Sequence, residues 1–260
     1  MMSSIIVGPS GEKVYFRSQG NGSPLVLIHG FLESSAIWFE LEESWARSRR
    51  VISIDLPGHG LSDVLAEVHS MELMAQAVGA VIDHLNLSRV ELLGHSMGGY
   101  VSLALLELYP EKVSGIGLMN SSTSADSHER KQIRERSVDL VTRNKPAFVS
   151  MALKNLLPSD NYQIYKDSIE KMKNEALSFP TNGIVAVLRG MKSRTDRTAT
   201  LHSFSGAKYF ISGRRDSLLT VEESKKQAIA AGAVYFEVDG GHLSYLENKQ
   251  EVDEIVQFID

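Results

Sequence analysis

Val90-Glu91-Leu92-Leu93-Gly94-His95-Ser96-Met97-Gly98-Gly99 joins a short apolar run to a serine between glycines, and apolar residues at helical spacing follow it to Tyr109. The stretch reads as strand, sharp turn and helix, with Gly94 to Gly98 matching the pattern G-x-S-x-G. Such a turn forces its serine into a strained backbone conformation that only small flanking residues permit. The Ser96 hydroxyl is then expected at the carboxyl edge of a sheet. The Met97 N–H, first in the helix, points at the group that this hydroxyl would attack. A glycine-rich turn with an idle serine is the plainer alternative, and the context on either side favours the reactive one.

Outward from this turn, residues 14–17, 25–28, 51–54 and 113–119 read as further strands, and 37–46, 71–85 and 99–109 as helices. The strands are continuous apolar runs, which predicts burial on both faces, as in a parallel sheet flanked by helices. Right-handed crossovers then give an α/β, doubly wound sheet. The rhythm stops over 121–200, where four helical stretches are separated by Lys145-Pro146, Leu157-Pro158-Ser159-Asp160 and Phe179-Pro180-Thr181. It resumes with strand 207–212, helix 221–231, strand 233–238 and helix 244–259. The expected organisation is a core made of 1–120 and 201–260, with 121–200 inserted as a helical cap.

Composition narrows the chemistry. The 260 residues hold 43% hydrophobic and 23% charged side chains, a globular balance that argues against disorder. Lys and Arg number 27 against 32 Asp and Glu, a formal charge of -5, so no basic excess favours nucleic acid or an anionic membrane as partner. The absence of Cys removes thiolate metal sites, disulfides and a cysteine nucleophile. Residues 1–11 lack a basic segment ahead of the short apolar stretch 5–7, so no signal peptide is read there. No apolar run approaches the roughly 18 residues of a membrane span. A cytoplasmic protein, monomer or homodimer, is the expectation.

A serine becomes nucleophilic when a base takes its proton and a third group holds that base. Among eight His, His242 follows the last strand in Asp239-Gly240-Gly241-His242, at the same sheet edge as Ser96. Asp216 follows the preceding strand in Gly213-Arg214-Arg215-Asp216, again at that edge. Ligands of open α/β sheets bind there, and the order Ser, Asp, His suits a nucleophile on such a turn. Asp239 is the competing acid, three residues from His242 and better placed to brace the loop. Arg214 and Arg215 read as solvated turn residues. A second N–H facing the attacked carbonyl is expected from Phe31, after the strand 25–28, in His29-Gly30-Phe31. His29 itself reads as a packed structural residue.

His29-Gly30-Phe31, Asp55-Leu56-Pro57-Gly58-His59-Gly60-Leu61-Ser62, Gly94 to Gly99, Gly213 to Asp216 and Gly241-His242 together resemble the α/β-hydrolase fold superfamily, cap-bearing branch. The match runs from about residue 12 to the C-terminus. It implies an eight-stranded, mostly parallel sheet, a catalytic triad of Ser96, Asp216 and His242, and an oxyanion hole from the N–H groups of Phe31 and Met97. It also implies a helical cap inserted after the sixth strand. The 55–62 segment is mainly structural in the family.

Haloalkane dehalogenases and epoxide hydrolases of this fold carry Asp at the nucleophile position, so Ser96 directs the expectation to acyl transfer. Gly58-His59-Gly60 lacks the continuation of a dinucleotide site, and His128-Glu129 has Gln132 where a zincin helix has its second His. No metal or organic cofactor is expected. The resulting expectation is a serine hydrolase acting on a small carboxylic ester, thioester or lactone. A carbon–carbon bond hydrolase or cofactor-free lyase using the triad as a base, and a ligand-sensing receptor of the same fold, are the alternatives. In the cap, Phe148, Met151, Leu153, Leu156, Leu157, Met172, Leu177 and Phe179 divide between cap core and pocket lining, with most assigned to the core.

Overall fold

The computed structural model describes residues 2–259, which form one eight-stranded sheet with helices on both faces. The strands are β1 (Met2–Ile6), β2 (Lys13–Gln19), β3 (Ser23–Ile28), β4 (Arg49–Ile54), β5 (Val90–His95), β6 (Val113–Met119), β7 (Ala207–Gly213) and β8 (Val234–Val238). Their order across the sheet is β1-β2-β4-β3-β5-β6-β7-β8. β1 and β2 run antiparallel, and every pair from β4 to β8 is parallel.

The central strands are apolar on both faces because helices cover both. Leu25 to Ile28 on β3 and Leu92 and Leu93 on β5 are fully buried. The chain crosses from β4 back past β3 to reach β5, so the strand order reverses beside β3, where ligand sites form in such sheets. Register brings the loops together there. Ile28 is level with Gly94, His95 with Met119, and Gly213 with Val238.

The helices are α1 (Phe39–Trp45), α2 (Met71–His84), α3 (Met97–Leu108), α4 (His128–Lys154), α5 (Lys166–Ser178), α6 (Thr181–Ser193), α7 (Thr198–Ser203), α8 (Val221–Ala231), α9 (Ser244–Glu247) and α10 (Lys249–Phe258). Between β6 and β7 lie four of them, α4 to α7. The expected break at Lys145-Pro146 is a kink within α4, where Asn144 leaves helical geometry (φ -153°, ψ 76°). A proline cannot accept the helix continuing through it, because its ring clashes with the preceding turn. Short α7 packs on α3 and α8 of the core rather than on α4 to α6.

Three elements differ from expectation. β1 is an additional edge strand; two adjacent exposed serines interrupt it and none of its residues is fully buried, so it carries no continuous apolar signal. The expected helix 244–259 is divided at Asn248 (φ -127°, ψ 39°) into α9 and α10. The expected helix 37–46 begins as a 3₁₀ turn over Ser35–Trp38, capped by the Ser34 hydroxyl. No described helix is long and apolar enough to cross a membrane.

Candidate active site

Ser96 sits between β5 and α3 with φ 50° and ψ -114°, a conformation that side chains with a Cβ rarely adopt. The surroundings impose it. The Ser96 N–H donates to the Met119 carbonyl at 2.9 Å, and the Ser96 carbonyl accepts from the Ser121 hydroxyl at 2.7 Å. The flanking glycines are required by close approach: a Cβ on Gly94 would lie 2.4 Å from the Gly98 carbonyl carbon, and one on Gly98 2.1 Å from the Ile28 oxygen. The G-x-S-x-G pattern is therefore the sequence form of a turn packed against the end of β3.

The structure brings Ser96, His242 and Asp216 together. Ser96 Oγ lies 2.8 Å from His242 Nε2, and His242 Nδ1 lies 2.8 Å from Asp216 Oδ2. A carboxylate only accepts, so Nδ1 carries the ring proton and Nε2 is left to accept from the Ser96 hydroxyl. Both His242 and Asp216 are almost wholly buried. Burial raises the Asp216 carboxyl, but the neighbouring His242, the Asn120 amide and the Leu218 N–H outweigh it and hold the group below its usual range. Asp239 is elsewhere: it is 70% exposed, and its nearest cation is Arg214 at 4.0 Å. Arg214 and Arg215 pair with Glu237 and Asp160 on the surface.

Asn120 was not read from the sequence. It follows β6 directly with φ 46°, a left-handed conformation that Asn tolerates better than most residues. Its side-chain amide donates to Asp216 Oδ2 at 3.0 Å and to the Gly241 carbonyl at 3.1 Å. One side chain thus ties the acid to the loop that carries His242. A polar residue closing a buried apolar strand was the available signal.

Phe31 borders the same cavity as Ser96, and neither its N–H nor that of Met97 has an acceptor among the described residues. Met97 opens α3, so its N–H is one of the helix's unsatisfied first-turn donors. The turn carrying Phe31 is held by Leu32 in the left-handed region (φ 63°), whose N–H donates to His59 Nε2 at 3.2 Å. His29 is buried, accepting from the Leu56 N–H at 2.9 Å. Burial lowers its pKa, as it does for His59 and for His69, the last to about 4. These three neutral rings brace the 55–62 segment, in which Asp55 accepts from the Ser35 and Leu61 N–H groups.

Beneath the serine lies a buried ion pair. His95 Nδ1 is 2.9 Å from Glu33 Oε2, and Glu33 also accepts from the Gly30 N–H at 2.6 Å and the Tyr245 hydroxyl at 3.0 Å. Burial opposes both charges; the partners prevail, lowering the Glu33 pKa and raising that of His95.

Ser96 and His242 open into a cavity of about 350 Å³. Of the eight apolar residues of 121–200 weighed as pocket lining, Leu153 and Leu156 line it, whereas Phe148 packs on Phe31, Phe179 on His59, and Met151 is half exposed. Tyr100 and Met191 complete much of the apolar wall, and Arg130, Ile133 and Arg134 enter from α4. No group of three or more His, Asp or Glu among the described residues is arranged to hold a metal ion.

A family model described as alpha/beta hydrolase fold matches residues 23–249. The solved structure of a thermophilic esterase from Thermogutta terrifontis superposes with a TM-score of 0.92 and 30% identity, covering 99% of this chain and 97% of that one. The dihydrolipoyllysine-residue acetyltransferase component of an acetoin cleaving system from Pseudomonas putida is 28% identical over 245 residues, 90% of this chain and 62% of its own. An (E)-2-((N-methylformamido)methylene)succinate hydrolase from Acinetobacter baylyi is 30% identical over 137 residues, 53% of this chain and 52% of its own. The chain spans less than two thirds of the length of these two relatives.

Proposed function

Because the chain belongs to the α/β-hydrolase fold family, we propose that it is a serine hydrolase cleaving a small carboxylic ester, thioester or lactone. The observation that carries this reading is the hydrogen-bonded series from Ser96 Oγ through His242 to Asp216, with 2.8 Å at each step. His242 Nε2 takes the Ser96 proton as Oγ attacks the substrate carbonyl, and returns it to the leaving oxygen or sulfur. Asp216 keeps the imidazole in the productive tautomer. The N–H groups of Phe31 and Met97 hold the oxyanion, and loss of one such donor typically costs about 100- to 1,000-fold in turnover. Water activated by His242 then releases the acyl group from Ser96.

Of the helices between β6 and β7, α4 to α6 act as the cap, with α4 and α6 walling the cavity over Ser96. His242 is tied to this layer, its N–H donating to the Leu156 carbonyl at 3.1 Å. The Thermogutta neighbour is an esterase, which supports an ester as the first substrate to try. A panel of p-nitrophenyl esters of increasing acyl length, run with the wild type and Ser96→Ala, tests the proposal. Turnover that falls by about 10,000-fold or more in the variant is expected. Equal activity in both proteins overturns it.

A further inference from the structure

The cavity over Ser96 carries two arginines that the proposed acyl transfer does not use. Arg130, Ile133 and Arg134 occupy one face of α4, at positions i, i+3 and i+4, and all three border the space that holds Ser96 and His242. Arg134 Nε is 3.2 Å from Asp126 Oδ2, but that buried carboxylate also serves Arg194, whose Nη1 lies 2.5 Å from Oδ1. One carboxylate is thus shared between two guanidinium groups. Arg194 is further occupied by the face of Tyr100, 3.9 Å away.

Arg130 has less. Its guanidinium donates to the Leu218 carbonyl, a neutral acceptor, and meets no carboxylate within ion-pair distance among the described residues. The other acidic groups nearby are already engaged: Glu33 with His95 and Tyr245, and Asp216 with His242 and Asn120. Positive charge is therefore in excess along this wall of the cavity, although the formal charge of the chain is -5. A guanidinium held in a partly buried, mostly apolar wall favours an anion, and its planar fork matches a carboxylate through two parallel hydrogen bonds.

We propose that the substrate is an acyl compound bearing a second, ionised carboxylate, anchored by Arg130 with Arg134 beside it. Ala152, Leu153 and Leu156 lie against the short hydrocarbon chain between that carboxylate and the scissile carbonyl. This assignment rests on the serine hydrolase reading for its chemistry, and it names the substrate class of that same site.

Two matched esters test it: p-nitrophenyl hexanoate and mono-p-nitrophenyl adipate, equal in chain length and different in the terminal carboxylate. The wild type should favour the adipate ester by about tenfold or more in kcat/KM, mainly through KM and less at high salt. Arg130→Gln should bring that ratio toward one, Arg134→Gln should reduce it, and Arg130→Lys should restore part of it. A wild-type ratio of one or below overturns the assignment, as does a preference that survives both glutamine substitutions. A binding measurement is independent of turnover. Adipate should bind the Ser96→Ala protein at least about tenfold more tightly than 1,6-hexanediol does, and Arg130→Gln should remove that difference. Equal binding of the two overturns the anionic site whatever the reaction is. Adipate binding without Ser96-dependent hydrolysis retains the site and overturns the serine hydrolase reading instead.

Discussion

His95, the residue before Ser96, holds the backbone of His242: its Nε2 donates to the His242 carbonyl oxygen at 2.9 Å. Its other ring nitrogen faces Glu33 Oε2, also at 2.9 Å. Both partners are acceptors, so both ring nitrogens carry protons and His95 is a buried imidazolium. The middle residue of Gly94-His95-Ser96 therefore joins the turn that carries Ser96 to the loop that carries His242 through a charge that Glu33 balances. The Tyr245 hydroxyl completes the shell around Glu33.

Glu33→Gln should destabilise the protein by about 3 to 5 kcal/mol, since it leaves a buried imidazolium without its counter-charge. The pH dependence has a definite sign. His95 is raised above its ordinary 6.5, so its contribution is complete below that pH and is lost as pH rises through the higher folded value. Glu33 is lowered from 4.5, so its contribution is present above that pH and is lost as pH falls through the lower folded value. Urea unfolding across pH should show the largest gap between wild type and variant from about 4.5 to 6.5, narrowing on either side. A constant gap would contradict the ion pair.

Asp216→Asn should lower turnover by about 10,000-fold, because an amide at this position favours the wrong tautomer of His242. Asp239→Asn should leave activity near that of the wild type, its carboxylate being exposed and directed at Arg214. Steady-state kinetics of the pair separates the two acids, and the opposite ranking would transfer the role to Asp239.

Asn120→Ala removes the donor shared between Asp216 and the Gly241 carbonyl. A hydrogen bond to a charged group supports a loss in kcat of about tenfold or more. Asn120→Asp should be worse, since it sets a second carboxylate against Asp216. Equal kinetics in the two variants would show that the amide does not hold the acid.

Ser96→Gly should be more stable than Ser96→Ala. Alanine retains the Cβ that strains φ 50°, ψ -114°, whereas glycine adopts such angles freely. Relief of strain exceeds the added chain entropy of glycine by about 1 kcal/mol. Thermal unfolding of the two variants checks this, and a more stable alanine variant would mean that the turn is unstrained.

Much of this site was legible along the chain because each part ends a local pattern. Ser96, Asp216 and His242 each follow a buried apolar strand, and parallel strands deliver their following loops to one edge. β1 was not legible, since its serines are exposed and pairing with β2 supplies what periodicity lacks. Glu33 and His95 stand 62 residues apart, and nothing in either neighbourhood announces the other. Arg130 and Arg134 lie in a charged stretch from His128 to Arg136, whose composition does not mark which side chains turn inward. Only packing of α4 over the sheet edge decides which side of that run meets the cavity.

Covalent trapping with a p-nitrophenyl alkylphosphonate asks whether Ser96 is the nucleophile, because water removes the phosphonyl group from a serine only slowly. One equivalent of p-nitrophenolate should be released and activity lost in step with it, peptide mass mapping should place the phosphonyl group on Ser96, and Ser96→Ala should not be labelled. Labelling at another residue, or equal labelling of the Ser96→Ala protein, would contradict it.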